Sequence, residues 1–149
     1  MYKRQLRRLG ADVVFSGPEE WFDASIPHGK YEDIDTAVKT ADVVMLLRIQ
    51  HERHAGEMIH SKGDYLKRYG LTKERERSMK PGAIIMHPAP VNRNVEIDED
   101  LIESERSRIF KQMENGVYVR MAVLKRAVES TVSKGGALHG NRHKEWSIV

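Results

Sequence analysis

The chain has 149 residues, 40% of them hydrophobic and 32% charged, which is enough for one domain with a core of its own. It contains no cysteine, no long apolar stretch and no apolar segment near its N-terminus, so the sequence predicts a cytoplasmic protein without disulfides, thiolate metal sites, a membrane span or a secretory signal. Its 25 basic residues are interspersed with 22 acidic ones, a balance that favours an ordinary soluble enzyme over a nucleic-acid-binding protein with a basic stripe.

Extended and helical patterns alternate through the first half of the chain. A strand is expected where a short apolar run is stopped by glycine or proline, and a helix where apolar residues recur every three or four positions. In chain order these patterns predict a helix end at 4–9 closed by Gly10, a strand at 12–15, a loop at 21–31, a helix at 34–41 and a strand at 43–47. The last strand is an unbroken apolar run, which is typical of a parallel strand buried on both faces.

The second half continues the alternation and ends in the clearest helix of the chain. The patterns predict a polar loop at 50–63, helices at 64–69 and 72–79, a strand at 83–86, a helix from Asp98 toward Glu105, a long helix from 110 and a loose polar tail from 135. The long helix has one apolar face, formed by Phe110, Met113, Val117, Met121, Leu124 and Val128. Thr72 is the expected N-cap of its helix, and Gly116 is the expected position of a kink in the long helix.

These elements together predict an α/β fold. Three short buried strands that alternate with helices are typical of an open parallel sheet with flanking helices. The pattern begins partway along a helix, without the strand that should precede that helix in a doubly wound sheet. We therefore expect a sheet that is truncated at its N-terminal strand.

A candidate binding site follows the strand at 43–47. Arg48 and Gln50 alternate onto the same side of the extended chain, at the carboxyl end of a parallel strand, where open α/β sheets bind ligands. A guanidinium fork beside an amide suits a carboxylate, and Glu52, four residues after Arg48, could brace the guanidinium. The alternatives are a strand-end arginine that reaches solvent and a solvated charge pair at Glu52 and Arg53.

A second candidate segment, His87-Pro88-Ala89-Pro90, follows the strand at 83–86. Proline has no backbone N–H and fixes its own φ angle, so this segment is stiff and presents carbonyl oxygens. Such carbonyls suit a ligand that carries N–H groups. The alternative is a rigid turn without a ligand.

The histidines do not indicate a metal site. His51 and His54 are one residue closer together than the pair in the His-Glu-x-x-His zinc motif, and His139 and His143 lie in the Gly-rich tail. The sequence also lacks the glycine-rich nucleotide motifs and the nucleophile elbow. We therefore predict no metal.

Three stretches resemble the signatures of the aspartate-binding domain of aspartate carbamoyltransferases, with the character of the Bacillus-like enzymes. They are Leu46 to Arg53, His87 to Arg93 and Arg108 to Ala122, and their order and spacing agree from about Leu6 to Lys134. The sibling ornithine carbamoyltransferases carry a cysteine in the second stretch, where this chain has none. The resemblance implies the Rossmann-like C-terminal domain of the aspartate and ornithine carbamoyltransferases.

The same resemblance implies a reaction. Enzymes of this kind transfer the carbamoyl group of carbamoyl phosphate to the amine of L-aspartate, which gives N-carbamoyl-L-aspartate and phosphate in pyrimidine biosynthesis. They use no cofactor and no covalent intermediate, so catalysis depends on positioning and electrostatic stabilisation.

Roles for individual residues follow from motif position. Arg48 would hold a carboxylate of aspartate with help from Gln50. Glu52 would orient Arg48, and Arg53 would bridge to the other domain when the site closes. The backbone carbonyls of Ala89 and Pro90 would face the carbamoyl amino group and the attacking amine.

The family's phosphate cradle, its carbonyl-polarising segment and its second carboxylate-binding arginine would all precede this chain. We therefore expect no catalytic residue here, no turnover by the isolated chain, and a missing N-terminal carbamoyl-phosphate domain as partner, with a homotrimer in the full-length family. Residues 1–5 are predicted to be either a non-family N-terminal scar or a truncated start, 6–134 the aspartate-binding domain including the C-terminal helix, and 135–149 a flexible tail. The alternative is a split or regulatory module that needs a partner to supply the carbamoyl-phosphate domain.

Overall fold

A computed structural model of the chain describes residues 2–22, 25, 29–49 and 62–135. It divides into two compact units, Met1–Met113 and Glu114–Val149. The elements are α1 (Tyr2–Arg8), β1 (Val14–Phe15), β2 (Lys30–Tyr31), α2 (Ile34–Thr40), β3 (Val43–Met45), α3 (Lys62–Tyr69), α4 (Lys73–Arg77), β4 (Ile84–Met86) and α5 (Ile109–Gly135), with single 3-10 turns at Glu19–Trp21 and Glu99–Leu101.

The strands pair in parallel, as predicted. Strand β1 pairs with β2, and β3 pairs with β4, each as a two-stranded ladder. Parallel strands with helices between them confirm the predicted α/β class. Within the described ranges no ladder joins the two pairs, so the expected single sheet is present as two separate ladders. Strand β2 lies inside the stretch that was predicted to be a loop.

The core of the first unit lies on one face of the β3–β4 ladder. It consists of buried apolar side chains from α2, the two strands and the residues next to them, the segments on either side of α4, the loops after β4 and the start of α5: Ile34, Val38, Val44, Leu46, Leu71, Met79, Ala83, Ile85, Ile97, Leu101, Ile102 and Ile109. Side chains alternate across a strand, so Val44 points into this core while Val43 and Met45 point away from it and are 48% and 38% exposed. The prediction that this strand is buried on both faces was therefore wrong.

The start of α4 confirms the prediction for Thr72 and corrects the one for Asp98. Thr72 accepts a hydrogen bond from the Arg75 backbone N–H at 3.4 Å, which confirms it as the N-cap. The helix that was predicted from Asp98 toward Glu105 is not formed, and the Asp98 carboxylate caps no turn of its own segment but accepts from the Lys73 N–H at 2.9 Å. Asp98 thus satisfies a free donor of α4, and only one 3-10 turn follows it in its own segment.

Helix α3 is held by aromatic contacts. Tyr65 stacks on Trp21 with ring centroids 6.1 Å apart and lies 5.4 Å from the ring of Tyr69. Gly70 follows the helix, as predicted, and its N–H donates to the carbonyl of Leu66.

The second unit is described along the rest of α5. The helix continues through Gly116, and the kink expected at that position stays a prediction. Val117, Met121, Leu124 and Val128 share one face, as predicted, and they are between 52% and 66% exposed. No helix among the described residues is long and apolar enough to cross a membrane.

Candidate functional site

The two predicted binding segments leave neighbouring strands at the same edge. Met45 pairs with Met86 in the parallel ladder, and the Leu46 N–H continues it by donating to the Met86 carbonyl at 2.9 Å. Arg48 and Ala89 each lie three residues beyond that pair. The structure therefore brings the Arg48 segment and the proline-flanked segment together at the carboxyl ends of β3 and β4, where open α/β sheets bind ligands.

The arginine of the predicted carboxylate site is exposed at this edge. Arg48 also takes part in an interaction with another residue of the chain. Gln50, Glu52 and Arg53, which were predicted to assist it, lie outside the described residues, as does the rest of 50–61. Their roles stay predictions.

The segment 87–90, called the carbonyl turn below, has an unusual backbone. Ala89 has a φ of +57°, in the left-handed region, and the Ala89–Pro90 peptide bond is cis. For a residue other than glycine the left-handed conformation costs about 1–2 kcal/mol, so surrounding contacts must hold it. The Ala89 N–H donates to Nδ1 of His87 at 2.9 Å. Since the two prolines have no N–H, the turn has only carbonyl groups left to offer a ligand.

A buried histidine and a buried glutamate hold the carbonyl turn in place through hydrogen bonds on its interior side. His87 is fully buried and Glu96 is 3% exposed, with Nε2 of His87 lying 3.2 Å from Oε1 of Glu96. The same Oε1 accepts a hydrogen bond from the Asn92 backbone N–H at 2.6 Å. The other oxygen, Oε2, is buried without a hydrogen-bond partner among the described residues.

Two further side chains connect this support to neighbouring elements. The Asn92 side-chain amide donates to the Ile49 carbonyl at 3.0 Å, which ties the loop after β4 to the segment that carries Arg48. Gln112, in the first turns of α5, accepts from the His87 backbone N–H at 3.0 Å. The carbonyl turn is therefore fixed on both sides.

The charge of Glu96 also affects the pKa of a tyrosine on α3. Burial raises the pKa of the Tyr65 hydroxyl well above its ordinary value, and the negative charge of Glu96 raises that pKa further. Tyr65 thus stays protonated beside the buried carboxylate over the whole physiological range.

Four residues of this support, His87, Asn92, Glu96 and Gln112, were not predicted to have a structural role at the site. One signal was present in the sequence: Glu96 stands between Val95 and Ile97, and an acid inside an apolar run is expected to be buried only if it has a partner. The partner of Glu96 could not be predicted, because His87 lies nine positions away in another part of the loop. The contact of Gln112 with the His87 backbone could not be predicted either, since 25 positions separate the two residues.

The candidate metal ligands give no site within the described parts of the chain, where no group of three or more suitable side chains occurs. The histidine pairs at 51 and 54 and at 139 and 143 lie outside those parts.

Comparison with known proteins places this geometry in a family. The sequence profile described as "Aspartate/ornithine carbamoyltransferase, Asp/Orn binding domain" matches residues 7–127. Among solved structures, ornithine carbamoyltransferase from Gloeobacter violaceus aligns with a TM-score of 0.66 at 19% identity, over 83% of this chain and 45% of that chain. Ornithine carbamoyltransferase from Pyrococcus furiosus aligns with a TM-score of 0.62 at 28% identity, over 78% and 42% respectively.

An aspartate enzyme is similar as well. Aspartate transcarbamoylase from Trypanosoma cruzi, in complex with carbamoyl phosphate, aligns with a TM-score of 0.52 at 29% identity, over 64% of this chain and 30% of that chain. The chain thus spans less than half the length of each of these proteins. Both ornithine and aspartate enzymes are among its relatives. The comparisons therefore identify the carbamoyltransferase family but do not identify the amino acid substrate. With the profile match covering most of its length, the chain belongs to the aspartate/ornithine carbamoyltransferase family and carries that family's Asp/Orn binding domain.

Proposed function

We propose that this chain binds L-aspartate for a carbamoyltransferase that converts carbamoyl phosphate and L-aspartate to N-carbamoyl-L-aspartate and phosphate in pyrimidine biosynthesis. The observation that supports this best is the adjacency of Arg48 and the carbonyl turn at the ends of two paired strands. A guanidinium binds carboxylates, and carbonyl oxygens accept hydrogen bonds from N–H groups. L-aspartate carries both kinds of group, and the carbamoyl group adds an amide.

Charge favours aspartate over ornithine. Both amino acids have an α-carboxylate, so only their side chains distinguish them. Arg48 places a permanent positive charge at the site, which attracts the carboxylate side chain of aspartate and repels the ammonium side chain of ornithine. The carbonyl turn also lacks the cysteine that the sequence resemblance associates with the ornithine enzymes.

The residues of this chain would act by positioning. The carbonyls of Ala89 and Pro90 accept hydrogen bonds from the carbamoyl amino group and from the amine of aspartate, which directs the amine lone pair at the carbamoyl carbon. Gln50 and Glu52 assist Arg48 in this proposal, and Arg53 bridges to the carbamoyl-phosphate domain. No cofactor takes part.

Aspartate binding tests this proposal directly. We expect L-aspartate, titrated into the isotopically labelled chain, to shift the amide signals around Arg48 and the carbonyl turn, and L-ornithine to leave them in place. Without a second carboxylate clamp the affinity should be weak, because loss of a charge-assisted partner costs about 2–3 kcal/mol, or roughly thirty- to a hundredfold in affinity.

The matched variants are Arg48→Gln and Arg77→Gln, the latter an exposed arginine on α4. Arg48→Gln should abolish the aspartate-dependent shifts, whereas Arg77→Gln should retain them. Tighter binding of ornithine, or aspartate binding that does not depend on Arg48, would contradict the proposal.

A second candidate function is a split or regulatory module whose partner supplies the carbamoyl-phosphate domain. The observation that favours it is exposed apolar surface: Val43, Met45 and Leu47 on one face of β3 and its extension, and the apolar face of α5. Each of these exposed apolar faces is of the kind that commonly marks an interaction site. In this candidate, as in the first, the isolated chain has no turnover.

Co-expression tests the split module and distinguishes both candidates from an independent enzyme. The chain is produced alone and together with a separate N-terminal domain of an aspartate carbamoyltransferase, and carbamoyl-aspartate formation is measured. Activity only in the mixture, in a species whose sedimentation fits a trimer of both parts, supports the split module. Carbamoyl transfer by the chain alone contradicts both.

A further inference from the structure

Ala89, in its left-handed conformation, donates its own N–H to Nδ1 of His87 at 2.9 Å. A backbone N–H can only donate, so Nδ1 must be the unprotonated, accepting nitrogen of the ring. This assigns the proton of the neutral imidazole to the other nitrogen, Nε2.

Glu96 is the group that favours this tautomer. Its Oε1 already accepts from the Asn92 N–H at 2.6 Å, so it faces Nε2 of His87 at 3.2 Å as an acceptor. Since both side chains are buried, no bulk water replaces that acceptor. The proton on Nε2 therefore has a partner, and the lone pair on Nδ1 stays directed at Ala89.

We propose that Glu96 is a positioning residue for the carbonyl turn, acting through the tautomer of His87. The chain of contacts runs from the Glu96 carboxylate to the imidazole, from the imidazole to the Ala89 N–H, and from Ala89 to the directions of the Ala89 and Pro90 carbonyls. That these carbonyls meet substrate rests on the proposed function. That Glu96 sets their direction rests on the contacts alone.

The same carboxylate oxygen also aligns the other half of the site. By accepting from the Asn92 N–H it fixes the residue whose side chain donates to the Ile49 carbonyl, one position after Arg48. A single buried oxygen thus sets the carbonyl turn and the Arg48 segment relative to each other. Removal of this acceptor should disturb both segments, although Glu96 itself would touch no substrate.

The wild-type chain provides the first test, which needs no ligand. Long-range proton–nitrogen correlation spectra at neutral pH should show His87 as one tautomer, protonated at Nε2 and unprotonated at Nδ1. The Ala89 and Asn92 amides should exchange slowly with solvent although they lie in a loop. A ring protonated at Nδ1, or an Ala89 amide that exchanges as fast as an exposed amide, would overturn the proposal.

Two substitutions then distinguish the effect of the accepting oxygen of Glu96 from the effect of its packing. Glu96→Gln keeps an oxygen that can accept from both His87 and Asn92, so it should retain the wild-type tautomer and slow exchange. Glu96→Leu removes the acceptor, so it should give a mixture of tautomers and about tenfold faster exchange at Ala89, as expected for the loss of one hydrogen bond. The control is Glu103→Leu, at an exposed glutamate, which should leave the ring signals unchanged.

The outcomes are informative even if the leucine variant does not fold. In that case the proposal stands or falls on the wild-type tautomer and on the glutamine variant, whose ring must not switch to the Nδ1-protonated form. A folded leucine variant with the wild-type tautomer and wild-type exchange at Ala89 would overturn it.

Ligand titration keeps this inference apart from the proposed function. N-carbamoyl-L-aspartate is added to the wild-type chain and to both Glu96 variants. Binding that is weakened about tenfold or more in Glu96→Leu and retained in Glu96→Gln supports both ideas. Absence of binding to the wild type would count against the proposed function, while the ring signals would still decide the role of Glu96.

Discussion

Arg75 shows how much one side chain contributes to this fold. Its guanidinium donates to the Gly70 carbonyl at 2.7 Å and to the Leu66 carbonyl at 3.3 Å, at the end of α3, and it pairs with Asp35 on α2 at 2.8 Å. The planar fork therefore gives the Gly70 carbonyl a donor and adds a second donor to the Leu66 carbonyl, which also accepts from the Gly70 N–H. It joins α2, α3 and α4 through one residue.

We expect Arg75→Ala to lower the free energy of unfolding by about 2 kcal/mol, because it removes the donor to the partly buried Gly70 carbonyl and the second donor to the Leu66 carbonyl. The pair with Asp35 adds little to this figure, since the Asp35 side chain is 61% exposed and screened by solvent. Urea denaturation measures the change. The control is Lys80→Ala, which breaks the exposed pair with Asp42 and should cost at most about 1 kcal/mol. Equal losses in the two variants would contradict the role given to Arg75.

The pH dependence of stability should report the same contact. The hydrogen bond from Arg75 lowers the pKa of Asp35 below its ordinary value of 3.8. A carboxyl with a lowered folded pKa contributes stability that is complete above the unfolded pKa and is lost as the pH falls through the folded one. Wild type should therefore be more stable than Asp35→Asn at neutral pH, with the difference narrowing below pH 3.8. A difference that stays constant on acidification would show that the charge of Asp35 does not contribute.

At the scale of elements, α4 depends on the side chains at its first turn. Thr72 accepts from the Arg75 N–H and Asp98 from the Lys73 N–H, so two of the free donors at the helix start have partners. Because α4 carries Arg75, these caps also place the guanidinium that closes α3.

Substitution of Thr72 should show how much its side chain stabilises α4. Thr72→Ala is expected to lower the free energy of unfolding by about 1 kcal/mol, and Thr72→Ser to retain most of it, since serine keeps the accepting oxygen. Thermal or urea unfolding of the two variants side by side measures the difference. If serine and alanine are equally destabilising, the methyl group of Thr72 matters and its hydroxyl does not.

Which elements could be predicted depended on whether their cause is local. Gly10, with a φ of +85°, ends α1 as expected, and Gly70 and Thr72 mark helix ends through their own backbone or side chain. Strand β2 was missed because it is only two residues long and exists through its pairing with β1. Asp98 was misassigned because its partner, Lys73, is 25 positions away in sequence.

The candidate site, like the elements, could be predicted only in part. The adjacency of Arg48 and the carbonyl turn could be predicted, since parallel strands bring their carboxyl ends to one edge. The conformation of Ala89 and its support by Glu96 could not, because they arise from contacts between side chains in different loops.

For the whole first unit, the distribution of apolar side chains is uneven. One face of the β3–β4 ladder forms the core, while Val43, Met45 and Leu47 remain on the other side with between 38% and 53% of their surface exposed. Apolar residues next to a short parallel ladder favour association of chains.

We expect the purified chain to self-associate in a concentration-dependent manner, and Met45→Lys to weaken that association while the fold is retained. A charge on an exposed strand residue is unfavourable when two such faces meet. Sedimentation velocity over a range of concentrations measures the effect, with Glu103→Lys, at an exposed position outside this face, as the control. Equal association of wild type and Met45→Lys would show that this face is not involved.

The stacking of Trp21 on Tyr65 gives the molecule an optical reporter of its own. Helix α3, which carries Tyr65, begins at Lys62, inside the stretch that was predicted to be a polar loop at 50–63. With Trp146 replaced by phenylalanine, the indole at position 21 becomes the sole tryptophan fluorophore, since the chain has two tryptophans in all. A change in its emission on addition of an amino acid would then register a displacement of α3 without any attached dye.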